Sequence, residues 1–341
     1  MSRKKVYIAY TGGTIGMKES SSGYIPEKGY LQSYLAAKRV LDDPAMPSFD
    51  ICEYDPLLDS ANMGSEHWDT IARDIADHYQ DYDGFIVIHG TDTMAYTASA
   101  LPFLLQGLAK PVVVTGSQIP LHKTRNDGYE NLIASLMVAA HHQIPEVILL
   151  FGSRILRGCR AVKVDAFGLE AFDSPNFPAL GHIGINIELH KEYIQTAQNI
   201  PFHVQSLKKQ HVGILRLFPG ITADYARNVL RAPLQGVVLE TFGQGNAPDN
   251  NKALIGALKE AADRGVVIVN ITQCLRGTVN QKTYAAGQIL EDIGVIGGLD
   301  MTPNAALVKM YYLLSQDFSM QEIYNKMRQS LCGELTSVIS L

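Results

Sequence analysis

Short apolar runs recur along the chain, and each is closed by glycine or a small hydroxyl residue. Val6-Tyr7-Ile8-Ala9-Tyr10 passes without a gap into Thr11-Gly12-Gly13-Thr14-Ile15-Gly16. Phe85-Ile86-Val87-Ile88 passes into His89-Gly90-Thr91-Asp92-Thr93, ahead of a helix-like segment, Met94–Leu108. Pro111–Thr115 precedes the helix-like Tyr129–His142, and Val147–Phe151 follows it. This alternation predicts a parallel sheet with crossover helices. Trp68, Ile71, Ile75 and Tyr79 recur at helical spacing behind Ser65, which reads as an N-cap. That helix feeds the Phe85 strand.

From about Glu188 to Gln210 the chain is polar, carries Lys208-Lys209 and keeps no period, so it reads as a connection. Beyond it come Val212–Phe218, a helix Ala223–Arg231, Val237–Thr241, a helix Lys252–Arg264 and Val266–Ile271, then helices Asn304–Gln316 and Met320–Leu331. The expected organisation is a larger N-terminal catalytic α/β domain over 1–188, a linker over 189–210, and a smaller C-terminal α/β domain over 211–341. There is no internal repeat and no low-complexity tract.

Composition narrows the function classes. In 341 residues, 46% are hydrophobic and 18% charged, which is ordinary for a globular protein with room for two domains. The net charge is −5, and the compact basic groups are Arg3-Lys4-Lys5 and Lys208-Lys209, so no nucleic-acid or membrane-surface partner is expected. Cys52, Cys159, Cys274 and Cys332 are widely spaced, without a C-x-x-C pair or histidines at ligand spacing. They read as reduced thiols, and no metal is expected. The apolar run after the basic start ends after five residues, which predicts a cytoplasmic protein with no signal peptide.

Both hydroxyl loops fall just past the carboxyl ends of predicted strands, where open parallel sheets bind ligands. Gly12, Gly13 and Gly16 fit neither G-x-G-x-x-G nor G-x-x-x-x-G-K-[ST], which weakens a phosphate cradle. A hydroxyl among glycines can instead be approached by a carbonyl carbon and by backbone N–H donors. Thr14 is then a nucleophile or a turn-former. Thr91 and Asp92 are catalytic groups or caps of the Met94 helix, and the two roles are compatible. Lys163 in Ala161-Val162-Lys163-Val164-Asp165 is an edge-strand lysine with its amine in water, or a desolvated base. Tyr24, behind Ser20-Ser21-Ser22-Gly23, is an exposed loop residue or part of a lid over Thr14.

Together these segments resemble the bacterial-type L-asparaginases, most closely the cytoplasmic type I branch. Thr11–Gly16 and His89–Met94 look like that family's two signatures, and Val114–Pro120 and Gly243-Gln244-Gly245-Asn246-Ala247-Pro248 extend the likeness through the chain. The resemblance implies a two-domain asparaginase-like α/β architecture and a cofactor-free hydrolysis of L-asparagine through a covalent aspartyl-threonine. It implies that Thr14 attacks the side-chain amide carbon under the lid residue Tyr24. Thr91, Asp92 and Lys163 would form a triad in which the lysine takes a proton through the Thr91 hydroxyl. Which threonine attacks first stays open. Asp59, Ser60 and Ala61 match the binding loop, Asp92 is the partner for the substrate ammonium, and Ser117 lines the pocket. Asn246 resembles a residue supplied by a neighbouring subunit, which implies a homodimer or homotetramer.

One departure stands out. Asparagine-regulated members resemble one another in an arginine just before the Gly243-type motif, but here Leu239-Glu240-Thr241 puts an acid there, and Val162 stands in place of a threonine. An acid repels an effector's carboxylate, so this allosteric control is expected to be absent. Two other readings remain: a glutaminase or other amidase of this fold, including one acting on aminoacyl-tRNA, and a non-catalytic amino-acid sensor. The weak basic signal opposes the tRNA version, and the joint presence of Thr14, Tyr24, Thr91, Asp92 and Lys163 opposes the sensor.

Overall fold

A computed structural model describes residues 3–21, 23–38, 41, 43–281 and 285–337. Ser22, in the segment before Tyr24, lies outside the described residues. The chain divides into two compact units, Met1–Gln205 and Ser206–Leu341.

The first unit opens with β1 (Lys5–Gly12), the hairpin β2 (Met17–Ser20) and β3 (Gly23–Pro26), α1 (Tyr30–Ala36) and β4 (Ser48–Leu58). It continues through α2 (Ser65–Asp77), β5 (Gly84–Ile88), α3 (Met94–Leu104), β6 (Leu105–Gln106), β7 (Val112–Thr115), α4 (Gly128–His141) and β8 (Val147–Phe151). Short elements follow: β9 (Arg154–Arg157), β10 (Val162–Lys163), β11 (Phe172–Asp173), β12 (Gly181–Ile183), β13 (Ile187–Leu189) and β14 (His203–Val204).

The large sheet runs β13-β12-β9-β8-β7-β5-β1-β4. Its half from β8 to β4 is parallel, as expected, while β9, β12 and β13 add an antiparallel edge. Successive side chains of a strand point to opposite faces. Val6, Ile8, Ile86, Ile88 and Ile148 pack with Leu31 and Leu35 of α1 and Leu132 and Leu136 of α4 in one core. The intervening Tyr7, Ala9, Phe85 and Val87 are equally buried on the other face, where the Tyr7 hydroxyl donates to Asp74 of α2 at 2.6 Å. Burial on both faces is why these strands read as unbroken apolar runs. Helix α2 starts at Ser65 with Gly64 as its cap, whose N–H donates to His67 Nδ1 at 2.9 Å, one position earlier than the sequence predicts.

From β1 the chain moves to β4 on one side, then to β5 on the other side of β1, then outward to β7 and β8. The reversal of strand order falls between β1 and β5. Ligands of open parallel sheets bind at such a switch point, in the crevice past the carboxyl ends of the strands. The two threonine loops follow β1 and β5 there.

The stretch expected as a connection is tied to the first unit. Gln195 N–H donates to Glu146 at 2.5 Å, the Phe202 ring stacks on Tyr79 at 3.6 Å, and β14 pairs with β6.

The second unit holds β15 (Val212–Arg216), α5 (Ala223–Leu230), β16 (Gly236–Thr241), α6 (Lys252–Asp263), β17 (Val267–Thr272), α7 (Ala285–Asp292), β18 (Ile296–Gly297), α8 (Pro303–Ser315) and α9 (Met320–Met327). Its strands form one parallel sheet in sequence order. Leu215, Leu239, Leu254, Leu258 and Ile268 anchor its core. A fully buried ion pair, Lys309 to Glu334 at 2.6 Å, fastens the segment after α9, and Thr336 bonds Asp300 beside it.

Candidate active site

The crevice is built by glycines that let backbones meet. Gly13, at φ +97°, lies so close to the β5 loop that a Cβ there would sit 2.5 Å from Gly90 N. A Cβ on Gly90 would in turn sit 2.5 Å from Ser60 Oγ. The β1 loop, the β5 loop and the Asp59–Ser60 turn are therefore stacked in direct contact. Thr14 opens a single 3-10 turn, Thr14–Gly16, and is half-buried at the rim.

Below the second loop His89 is fully buried, its Nδ1 2.7 Å from Gly90 O and its Nε2 2.7 Å from Thr97 Oγ1. A carbonyl only accepts, so Nδ1 carries the proton and Nε2 receives the Thr97 hydroxyl. Burial depresses this imidazole's pKa to about 4, which keeps it neutral. A neutral ring supports the Thr91 loop without adding charge beneath it.

Thr91 is buried and central. Lys163 Nζ donates to Thr91 Oγ1 at 2.9 Å and to Asp92 Oδ1 at 2.9 Å, while the Thr91 hydroxyl donates to Gln118 Oε1 at 3.1 Å. Lys163 sits on β10, held by antiparallel pairing to β11, and its side chain is 22% exposed. Its amine is thus bonded to the threonine and the carboxylate rather than extended into water. The cap of α3 is Thr93, and no side chain caps this helix; the Thr93 hydroxyl donates to Ser60 O at 2.7 Å instead. Asp92 is engaged with the lysine, so the capping alternative for Thr91 and Asp92 is not the one the fold adopts.

Two polar residues with no assigned site role in the sequence reading complete the floor. Gln118 accepts from Thr91 and donates through Nε2 to Gly168 O at 3.2 Å. Asp127 accepts the Gln118 and Ile119 N–H groups, each at 2.9 Å, and so fixes the loop that carries Gln118. Single polar residues in a loop have no periodicity to betray them. For Gln118, its position directly after Gly116-Ser117 was the available signal.

Ser117 beside them is 1% exposed, and its Oγ is buried without a hydrogen-bond partner. Asp59 caps its own turn by accepting from Ala61 N–H at 3.1 Å, while Ser60 is buried under it. Tyr24 stands on β3, 46% exposed, with Lys123 Nζ 5.6 Å from its ring centroid and His122 stacked obliquely at 6.0 Å. It belongs to a paired hairpin, where the sequence suggests only a loop. Asn246 lies in the second unit, in a tight turn in which it exchanges backbone hydrogen bonds with Phe242. Among the described residues no group of His, Cys, Asp and Glu could hold a metal, and no helix is long and apolar enough to cross a membrane.

A buried hydroxyl and a carboxylate bridged by a lysine amine, at the switch point of a parallel sheet, make an α/β protein whose site can support acyl transfer. Family models described as the asparaginase N-terminal domain and the glutaminase/asparaginase C-terminal domain match residues 5–195 and 211–327. The chain belongs to the asparaginase family. It is 51% identical over 336 residues to the L-asparaginase 1 of Escherichia coli K12, covering 98% of this chain and 99% of that one. Its fold matches the crystal structure of L-asparaginase I from Vibrio cholerae with a TM-score of 0.92 at 50% identity, covering 98% of this chain and all of that one. The thermostable L-asparaginase from Thermococcus kodakarensis follows at 0.87 and 32% identity, with 97% and 99% covered.

Proposed function

We propose that the chain hydrolyses L-asparagine to L-aspartate and ammonia through an aspartyl ester on Thr14. The observation that carries this reading is Lys163 Nζ at 2.9 Å from both Thr91 Oγ1 and Asp92 Oδ1, on the loop that touches the one bearing Thr14. In its neutral form the lysine amine takes a proton relayed through the Thr91 hydroxyl, and Asp92 orients the amine and stabilises the resulting ammonium. Thr14 Oγ1 attacks the side-chain amide carbon; the carbon–nitrogen bond breaks and ammonia leaves with the relayed proton. Water then attacks the ester, and Thr14 regains its hydroxyl as aspartate departs. Thr91 is already bonded to the base and to Gln118, which supports Thr14 as the first attacker.

Asp92 also pairs with the substrate ammonium, Asp59, Ser60 and Ala61 hold the α-amino acid end, and Ser117 lines the pocket with its unpartnered hydroxyl. Tyr24 closes over Thr14 from the hairpin. Asn246 completes the site of a neighbouring subunit in a homodimer or homotetramer, and the enzyme acts in the cytoplasm. The test is ammonia release from L-asparagine and L-glutamine by wild type, Thr14→Ala and Lys163→Met. Wild type releases ammonia from asparagine, Thr14→Ala does not, and Lys163→Met loses roughly 10²–10⁴-fold in rate. No release from either amide would remove the enzyme reading, and a fully active Thr14→Ala would remove the nucleophile. One methylene separates the two substrates, worth about 1–3 kcal/mol in a pocket, so slower glutamine hydrolysis is compatible.

A further inference from the structure

In the second unit a cavity of about 280 Å³ is lined by Val279, Gln281, Glu291, Gly297, Leu299 and Arg328, with Asn280 at its rim. It lies behind the turn carrying Asn246, since Asn280 N–H donates to Gln244 O at 3.0 Å. Among the described residues, two of its side chains hold polar atoms without a hydrogen-bond partner. Gln281 is 6% exposed, and its Nε2 has no hydrogen-bond partner; Glu291 Oε2 is likewise buried and unpartnered. Buried polar groups are almost always paired, so two orphans on one cavity wall require an explanation. The third polar wall is the Arg328 guanidinium, which stands 3.8 Å from Glu291 Oε1, at the outer limit of an ion pair, and over the Tyr324 ring at 5.0 Å.

The backbone around the cavity is also unusual. Leu299 adopts φ +55°, the positive value among described residues other than glycine, and its carbonyl accepts from Val279 N–H at 2.9 Å. A branched residue held in the left-handed region is strained, and such strain clusters at ligand sites. Gly297 keeps the wall thin: a Cβ there would press to 3.1 Å from Gln281 Oε1.

The three polar groups restrict what could occupy the space. A purely apolar molecule would leave both orphans unpaired. An anion would meet the Glu291 carboxylate, and a cation would meet Arg328. A molecule carrying both signs satisfies all three, with its ammonium on Glu291 and its carboxylate shared by Arg328 and the Gln281 amide. The terminal torsions of Gln and Glu are soft, so a small rotation presents Nε2 and Oε2 to the cavity. We propose that this cavity is a binding site for a small zwitterion, a free α-amino acid, separate from the catalytic crevice of the first unit and independent of the reaction assigned to it.

The test is calorimetric titration of the full-length protein with glycine, L-alanine, L-serine and L-leucine, none of which carries the side-chain amide or carboxylate that the catalytic crevice takes. Ethylamine and propionate serve as controls that carry one charge each. At least one amino acid should bind once per chain. Arg328→Gln and Glu291→Gln should each weaken it at least tenfold, and neither control should bind comparably. Hydrogen exchange should slow at 279–281 and 291–299 on binding. If one variant fails to fold, the other and Gln281→Leu carry the same comparison. Absence of binding by all four amino acids, binding unchanged in the folded variants, or equal binding of ethylamine or propionate would overturn the proposal.

Discussion

Gly13 and Gly90 touch backbone to backbone, with a Cβ on Gly13 only 2.5 Å from Gly90 N. This contact locks the loop after β1 to the loop after β5 and fixes the spacing between Thr14 and Thr91. Gly13 also holds φ +97°, a conformation that a side chain disfavours.

Gly13→Ala is therefore expected to act twice. The backbone strain costs about 1–3 kcal/mol, and the loops must part to admit the methyl group. A displacement of about 1 Å between reacting groups costs on the order of 100-fold in rate. A lowered thermal midpoint together with a kcat loss of that order is the expected result. A variant with wild-type kcat would show that the contact does not set the geometry.

Gln118 sets the direction of the Thr91 hydroxyl. Its Oε1 accepts from Thr91, and its Nε2 is tied to Gly168, so the amide cannot flip without losing both bonds. Gln118→Leu should lower kcat roughly tenfold or more while KM changes less, because the residue acts on the proton relay and not on the substrate ends. Steady-state kinetics on asparagine separate the two parameters. A change confined to KM would place Gln118 in substrate binding instead.

His89 makes stability depend on pH. Burial, only partly offset by the Gly90 carbonyl, lowers its pKa from 6.5 to about 4. Below pH 6.5 the unfolded chain takes up a proton that the folded chain refuses until about pH 4. The contribution of His89 is thus complete above pH 6.5 and is lost as the pH falls toward 4, by about 3 kcal/mol in all. Urea unfolding at a series of pH values should show this loss, and His89→Asn should show a shallower one. Equal slopes for the two proteins would mean that His89 does not stay neutral in the fold.

The legibility of the chain followed burial. Val6–Tyr10 and Phe85–Ile88 are covered on both faces, so their runs are continuous and their type is unmistakable. The glycine and threonine loops were legible because they sit where those runs stop. The antiparallel edge was not, since β12 and β13 are three residues each and partly exposed, with no period to read. Gln118 and Asp127 acquire meaning only through partners far along the chain, at Thr91 and Gly168, or through backbone N–H groups that carry no sequence signature. Tyr24 was read as lying in a loop because Ser20-Ser21 and Gly23 mark a turn, and the strands on either side are only four residues long.

Glu240 bears on regulation. It is the penultimate residue of β16, is 7% exposed, and its carboxylate accepts from Arg216 at 3.1 Å. The resemblance implies that asparagine-regulated members of the family place an arginine just before the Gly243-type motif, where it would hold an effector's carboxylate. A buried carboxylate at that position, with one lone pair already committed to Arg216, offers an anion neither a donor nor a favourable charge. The velocity of this enzyme against asparagine is therefore expected to be hyperbolic, with a Hill coefficient near unity, and to remain so in Glu240→Gln. The measurement is initial rate over a wide range of asparagine concentration. Sigmoidal rates in the wild type that become hyperbolic when residues around Glu240 are substituted would show that an effector binds there despite the acid.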